Sequence, residues 1–200
     1  PIAESECILC VAGKYVDAVG SDAEADCVPC VVGKYVDVAG SDEASDCIDC
    51  VAGTYVDVAG SDQSSDCIAC ALGRYSAAAS DAVEDCLACA LGRYSATTPI
   101  AESECILCVA GKYVDAAGSD AETDCVPCVV GKYVAVAGSD DAADCIDCVA
   151  GTYVDVAGSD AASDCIDCAL GRYSAAGSDA VEDCLACPLG RYSGASPIAE

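Results

Sequence analysis

Between Cys10 and Cys27 the chain reads Val-Ala-Gly-Lys-Tyr-Val-Asp-Ala-Val-Gly-Ser-Asp-Ala-Glu-Ala-Asp, and its apolar and polar positions fall in a fixed order. Lys14-Tyr15-Val16-Asp17 sets β-branched and aromatic residues among polar ones and predicts a short strand. Gly20-Ser21-Asp22 predicts a turn, in which Gly supplies the unusual φ and Asp bonds to nearby backbone. The return arm, Ala23-Glu24-Ala25-Asp26, has little strand character and is expected to be irregular. The pattern therefore predicts an irregular hairpin. It recurs along the whole chain, with ten Cys-x-x-Cys motifs from Cys7/Cys10 to Cys184/Cys187, spaced by 19 or 20 residues and each followed by x-x-Gly-x-Tyr.

Three slots in this unit carry the chemistry. A Gly stands two residues before every Tyr, from Gly13 to Gly190, which predicts a backbone with φ > 0 or a close approach to a sulfur bridge. The tyrosines, Tyr15, Tyr35, Tyr55, Tyr75, Tyr94, Tyr113, Tyr133, Tyr153, Tyr173 and Tyr192, supply one large apolar face per unit. Their rings are expected to pack on a disulfide or on the next unit; an aromatic ladder for a ligand is the sharper alternative. All eight basic residues (Lys14, Lys34, Arg74, Arg93, Lys112, Lys132, Arg172 and Arg191) sit between that Gly and Tyr, with Thr54 and Thr152 in the other two units. A lone cation in an acidic unit predicts an ion pair, for example with the Asp before each Cys-x-x-Cys, contributing under about 1 kcal/mol if exposed.

A longer period lies above the short one. Residues 1–98 return as 99–196 with 85 of 98 positions identical, and 197–200 begin a third copy, so two super-repeats of five units and the start of another are expected. Phe, Trp, Met and His are absent, and much of the 54% apolar fraction is Ala, Val and the 20 cysteines. A 20-residue unit with one ring cannot bury enough surface to fold alone. The fold class expected is small and disulfide-rich: a linear, solenoid-like array of about ten hairpin units with little or no helix. The net charge of −27 makes nucleic acid an unsuitable partner and cations suitable ones. No apolar run approaches a membrane span.

The spacing C-x2-C-x16-C-x2-C fits zinc as well as disulfides. Five Cys-x-x-Cys motifs per super-repeat is an odd number, so joining them two by two into four-thiolate sites would give near-identical copies opposite pairing phases. Pairing the second Cys of one motif with the first of the next treats every unit alike. It gives Cys10–Cys27, Cys30–Cys47, Cys50–Cys67, Cys70–Cys86, Cys89–Cys105, Cys108–Cys125, Cys128–Cys145, Cys148–Cys165 and Cys168–Cys184, with Cys7 and Cys187 left over. Other disulfide patterns, such as Cys7–Cys27, stay open, as does zinc; a redox role would call for one activated Cys-x-x-Cys rather than ten alike. Each loop closure of this length restricts the unfolded chain by about 3 kcal/mol, enough over nine units to stand in for a missing core. Reducing one bridge would release roughly 55 Å of chain.

The pattern C-x-x-C-x-x-G-x-Y, then Gly-Ser-Asp and the next Cys, resembles the ephrin-receptor-like cysteine-rich repeats of large extracellular proteins and the short one-disulfide module of tumour necrosis factor receptor ectodomains. Cys30-Val-Val-Gly-Lys-Tyr35 through Cys47 is a clear instance. In those families the Cys before x-x-Gly-x-Tyr bonds to the next Cys along, so the resemblance implies the same ladder. Long runs of similar repeats also occur in mastigoneme proteins, a resemblance of architecture that implies a filament-forming surface protein.

Cysteine density and resemblance together predict an extracellular location, secreted or on the cell surface. The leading functional expectation is a structural subunit of a self-associating fibril; the alternative is a stalk projecting a binding domain. No cofactor is expected beyond a weak candidacy of Asp17, Asp22 and Asp26 and their equivalents for calcium, interrupted at Ile100 and Ala135. Catalysis is not expected, there being no His and no activated Ser. Thr97, Thr98 and the Gly-Ser-Asp serines are candidate positions for O-linked glycans.

Overall fold

In the computed structural model, which describes residues 6–194, each unit is an antiparallel hairpin whose strands are only two residues long. The first strand is the basic-slot residue with its Tyr. The second comes from the two residues inside the next Cys-x-x-Cys, not from the arm before it. That arm instead winds into one turn of 3-10 helix, as at Glu24–Asp26, so it is regular where an irregular return was expected. The cause is the Asp that ends it: Asp26 Oδ2 accepts from the backbone N–H groups of Asp22 and Ala23, which holds the chain in a tight turn. Asp46, Asp66, Asp85, Asp124, Asp144, Asp164 and Asp183 do the same in their hairpins.

The chain divides into two compact units, Pro1–Ala88 with Thr97–Cys105, and Cys89–Ala96 with Ile106–Glu200. In the first, β1 (Lys14–Tyr15) pairs with β2 (Val28–Pro29), β3 (Lys34–Tyr35) with β4 (Ile48–Asp49), β5 (Thr54–Tyr55) with β6 (Ile68–Ala69), and β7 (Arg74–Tyr75) with β8 (Leu87–Ala88). In the second, β9 (Arg93–Tyr94) pairs with β10 (Ile106–Leu107), β11 (Lys112–Tyr113) with β12 (Val126–Pro127), β13 (Lys132–Tyr133) with β14 (Ile146–Asp147), β15 (Thr152–Tyr153) with β16 (Ile166–Asp167), and β17 (Arg172–Tyr173) with β18 (Leu185–Ala186). These are nine tandem hairpins, with no α-helix among the described residues. The opening of a third long repeat at 197–200 lies outside them.

Two-residue strands hold few bonds of their own, so backbone satisfaction comes from neighbouring hairpins. Within the first unit Gly13 N–H donates to Val36 O at 2.7 Å, Val16 N–H to Ser41 O at 3.1 Å, and Gly40 N–H to Cys10 O at 2.8 Å. Within the second, Gly111 N–H donates to Val134 O at 2.8 Å, Val114 N–H to Ser139 O at 3.1 Å, and Gly138 N–H to Cys108 O at 2.7 Å. Each hairpin thus completes the one before it, the defining property of a repeat array.

The motif glycines have φ near +80°, as at Gly13 (84°) and Gly111 (85°). Their close approach is to backbone, not to a sulfur bridge. A Cβ on Gly13 would collide with the carbonyl of Gly60, and one on Gly111 with that of Gly158, in each case the turn glycine two hairpins further on. The same turn slot holds Ala79 with φ 61°, a left-handed alanine, and Gly177 in the second super-repeat.

Candidate functional site

The core of each hairpin is its disulfide. Cys10–Cys27, Cys30–Cys47, Cys50–Cys67 and Cys70–Cys86 close the first unit's hairpins, and Cys108–Cys125, Cys128–Cys145, Cys148–Cys165 and Cys168–Cys184 those of the second, with Cα–Cα separations of 5.6 to 5.7 Å. Cys89 and Cys105 are disulfide-bonded too. Cys7 and Cys187 are free thiols. These bonds remove the thiolates that a zinc site or a redox pair would need.

The tyrosines are brought to the bridges, but not to their own. Tyr15 packs against Cys30, Val36 and Cys47 of the following hairpin, Tyr94 against Cys108, Val114 and Cys125, and Tyr113 against Cys128, Val134 and Cys145. Tyr35, Tyr55, Tyr75, Tyr133, Tyr153 and Tyr173 are likewise half-buried, while Tyr192 is 91% exposed. The deeply buried side chain beside the first strand of eight hairpins is instead the residue just after the Tyr: Val36, Val56, Val114, Val134 and Val154, or Ser76, Ser95 and Ser174. The serines fit because a hydroxyl finds a partner there, Ser76 Oγ donating to Thr54 O and Ser174 Oγ to Thr152 O. Sequence reasoning passed over this slot; strand alternation and its strict restriction to Val or Ser are the signals that mark it.

The basic slot pairs with a different carboxylate from the one expected. Asp46 and Asp144, which precede the next Cys-x-x-Cys, are occupied by the turn amides, so Lys34 reaches Asp49 and Lys132 reaches Asp147, each directly across its hairpin and inside the Cys-x-x-Cys. Lys112 stands 3.9 Å from Glu122. Arg74 and Arg172 donate from Nη1 to the carbonyls of Cys86 and Cys184, tying the strand to the closing bridge. The Thr variants turn inward, Thr54 and Thr152 donating to Val51 O and Val149 O.

The serines of the Gly-Ser-Asp turns are structural. Ser41, Ser61, Ser80, Ser119, Ser139, Ser159 and Ser178 are buried, and each donates to the carbonyl three residues back. Ser21, the turn serine of the first hairpin, makes the same kind of bond to Ala18 O but is exposed. In the acidic loops, the hollow of about 430 Å³ beside Asp155, Asp160 and Asp164 opens to solvent, and no group of three or more His, Cys, Asp or Glu is placed to hold a metal among the described residues.

What the hairpins present outward is apolar at fixed slots. Val11, Val31, Val51, Val109, Val129 and Val149, each directly after a Cys-x-x-Cys, are more than half exposed, as are Val38, Val58, Val136 and Val156 before the turns. No helix among the described residues is long and apolar enough to cross a membrane.

Each unit is thus a disulfide-closed hairpin, with Gly-x-Tyr leading through its first strand, stacked on the next. Residues 19–67 match the tyrosine-protein kinase ephrin type A/B receptor-like family model. The matched stretch holds the ephrin-receptor-like hairpins closed by Cys30–Cys47 and Cys50–Cys67. No curated protein matches the chain. The dense disulfides and the receptor-like match point to an extracellular or cell-surface setting, and to a structural or stalk role.

Proposed function

We propose that this chain is a structural subunit of an extracellular fibril, assembled by contact between copies through the apolar residues that the hairpins expose. The observation that carries the reading is the exposure of apolar residues at the same slots in successive hairpins of both super-repeats. Val11, Val31, Val38, Val51, Val58 and Leu72 recur as Val109, Val129, Val136, Val149, Val156 and Leu170. Set at the same slots in successive hairpins, these side chains form a repeated apolar surface that a second copy can cover. A partner that meets these rows in succession must carry the same spacing, which a second copy does. Contacts of this kind that do not close on themselves generate filaments.

Replacing Val129 and Val149 by lysine tests this, because both are exposed and the hairpins should still fold. In sedimentation velocity at moderate salt, which screens the acidic charge, the unaltered chain forms large species as its concentration rises and V129K/V149K stays monomeric. Identical size distributions for the two would overturn the proposal.

The receptor-like family match favours a second reading, a stalk that holds a binding domain away from a cell surface. A complete gene with a membrane anchor and a distinct terminal domain would support it; repeats running nearly throughout would support the fibril.

A further inference from the structure

Every bridge whose cover the packing reveals is guarded by the hairpin before it. Tyr113 sits on the hairpin closed by Cys108–Cys125, yet it packs against the cluster of Cys128, Val134 and Cys145 in the following hairpin. Tyr94 packs against the cluster of Cys108, Val114 and Cys125, and Tyr15, from the hairpin closed by Cys10–Cys27, against that of Cys30, Val36 and Cys47. The guarded sulfurs are sealed: Cys128 is 0% and Cys145 5% exposed, Cys108 0% and Cys125 4%. The contact in the opposite direction is of another kind. Gly138, in the turn of the later hairpin, donates to Cys108 O, which touches backbone and leaves the cover over the sulfurs in place.

Reduction needs access to sulfur. A thiolate of a dithiol reductant attacks one Sγ and forms a mixed disulfide while the other Sγ leaves as thiolate. The reductant's second sulfur then displaces the first cysteine, so two electrons pass to the cysteines, which take up two protons, and the reductant ends as its own disulfide. A bridge under a ring reacts only in the fraction of molecules where that ring has lifted.

We propose that the stack is a one-way redox latch, in which opening a hairpin exposes the bridge of the hairpin after it and not the bridge of the one before. Once Cys108–Cys125 is cut, the strand bearing Tyr113 loses its covalent clamp and keeps only backbone hydrogen bonds such as Gly111 N–H to Val134 O and Val114 N–H to Ser139 O, so the ring lifts more often from the Cys128–Cys145 cluster and that bridge becomes the next to react. Cutting Cys128–Cys145 first leaves Tyr94 seated on Cys108–Cys125. Reductive opening therefore travels toward higher residue numbers within a unit.

The test uses the oxidised chain in dilute dithiothreitol, with free thiols trapped by alkylation at timed intervals and each bridge followed by peptide mass spectrometry. In Tyr113→Ala, Cys128–Cys145 is reduced about tenfold faster than in the unaltered chain, while Cys108–Cys125 stays within about twofold. Tyr113→Phe keeps the ring and the original rate at both. Equal acceleration of the two bridges would mean general loosening, and no acceleration would mean no guard; either result overturns the latch. Partly reduced molecules of the unaltered chain give a check that needs no variant. Species with Cys108–Cys125 open and Cys128–Cys145 closed outnumber the converse, and equal populations contradict the proposal.

Discussion

Gly111 and Gly171 occupy the same slot in two hairpins and share almost the same backbone, φ 85° and 80°, but they differ in what stands opposite. A Cβ on Gly111 meets the carbonyl of Gly158, whereas one on Gly171 meets nothing within 4 Å. The two costs of a side chain can therefore be separated. Gly171→Ala carries only the left-handed penalty, about 1 kcal/mol. Gly111→Ala adds a collision between backbones that cannot relax without parting two hairpins, and should lose about 3 kcal/mol in all. Denaturant titration under oxidising conditions measures both; equal losses would remove the stacking contact from the account. The need for positive φ was legible from Gly standing before x-Tyr. The carbonyl opposite was not, because it arrives from 47 residues along the chain and no local pattern encodes it. The basic slot misled for a related reason. Aspartates stand at two candidate places, and only the turn geometry shows that Asp46 is taken by backbone amides while Asp49 faces Lys34.

At the scale of the hairpin, the fifth unit shows how a turn is rebuilt without its usual residues. Elsewhere the turn residue's N–H donates to the cysteine carbonyl of the preceding hairpin, as Gly60 does to Cys30 and Ala79 to Cys50. Here Pro99 has no N–H to give. The hydroxyl of Thr98 supplies the bond, donating to Cys70 O at 2.8 Å, and Ile100 fills the space beside Gly53. Thr98→Val, which keeps the shape and deletes the donor, should cost about 1–2 kcal/mol because it strands an acceptor. Thr98→Ser should cost much less, and thermal unfolding of the two variants is the comparison. The hairpin itself was legible from Lys-Tyr-Val followed by Gly-Ser-Asp. Its second strand was hidden, since Val28–Pro29 and its equivalents read as spacers between cysteines, and only pairing with Lys14–Tyr15 reveals them as strand.

For the whole molecule, the count of motifs was more informative than their spacing. Spacing alone permits zinc, whereas an odd number of Cys-x-x-Cys per 98 residues favours one closure repeated in every unit, and the bridges from Cys10–Cys27 to Cys168–Cys184 follow that rule in the structure. Burial then divides the apolar residues into two sets that composition merges. Most bridged cysteines and the valine after most tyrosines go inside, and valines at two fixed slots remain outside in both super-repeats. The fibril proposal rests on that outer set, and electron microscopy of the purified, oxidised chain tests it most directly. The account predicts filaments at high concentration that dissolve into monomers when Val129 and Val149 are replaced by lysine. A uniform field of single particles at every concentration would contradict it.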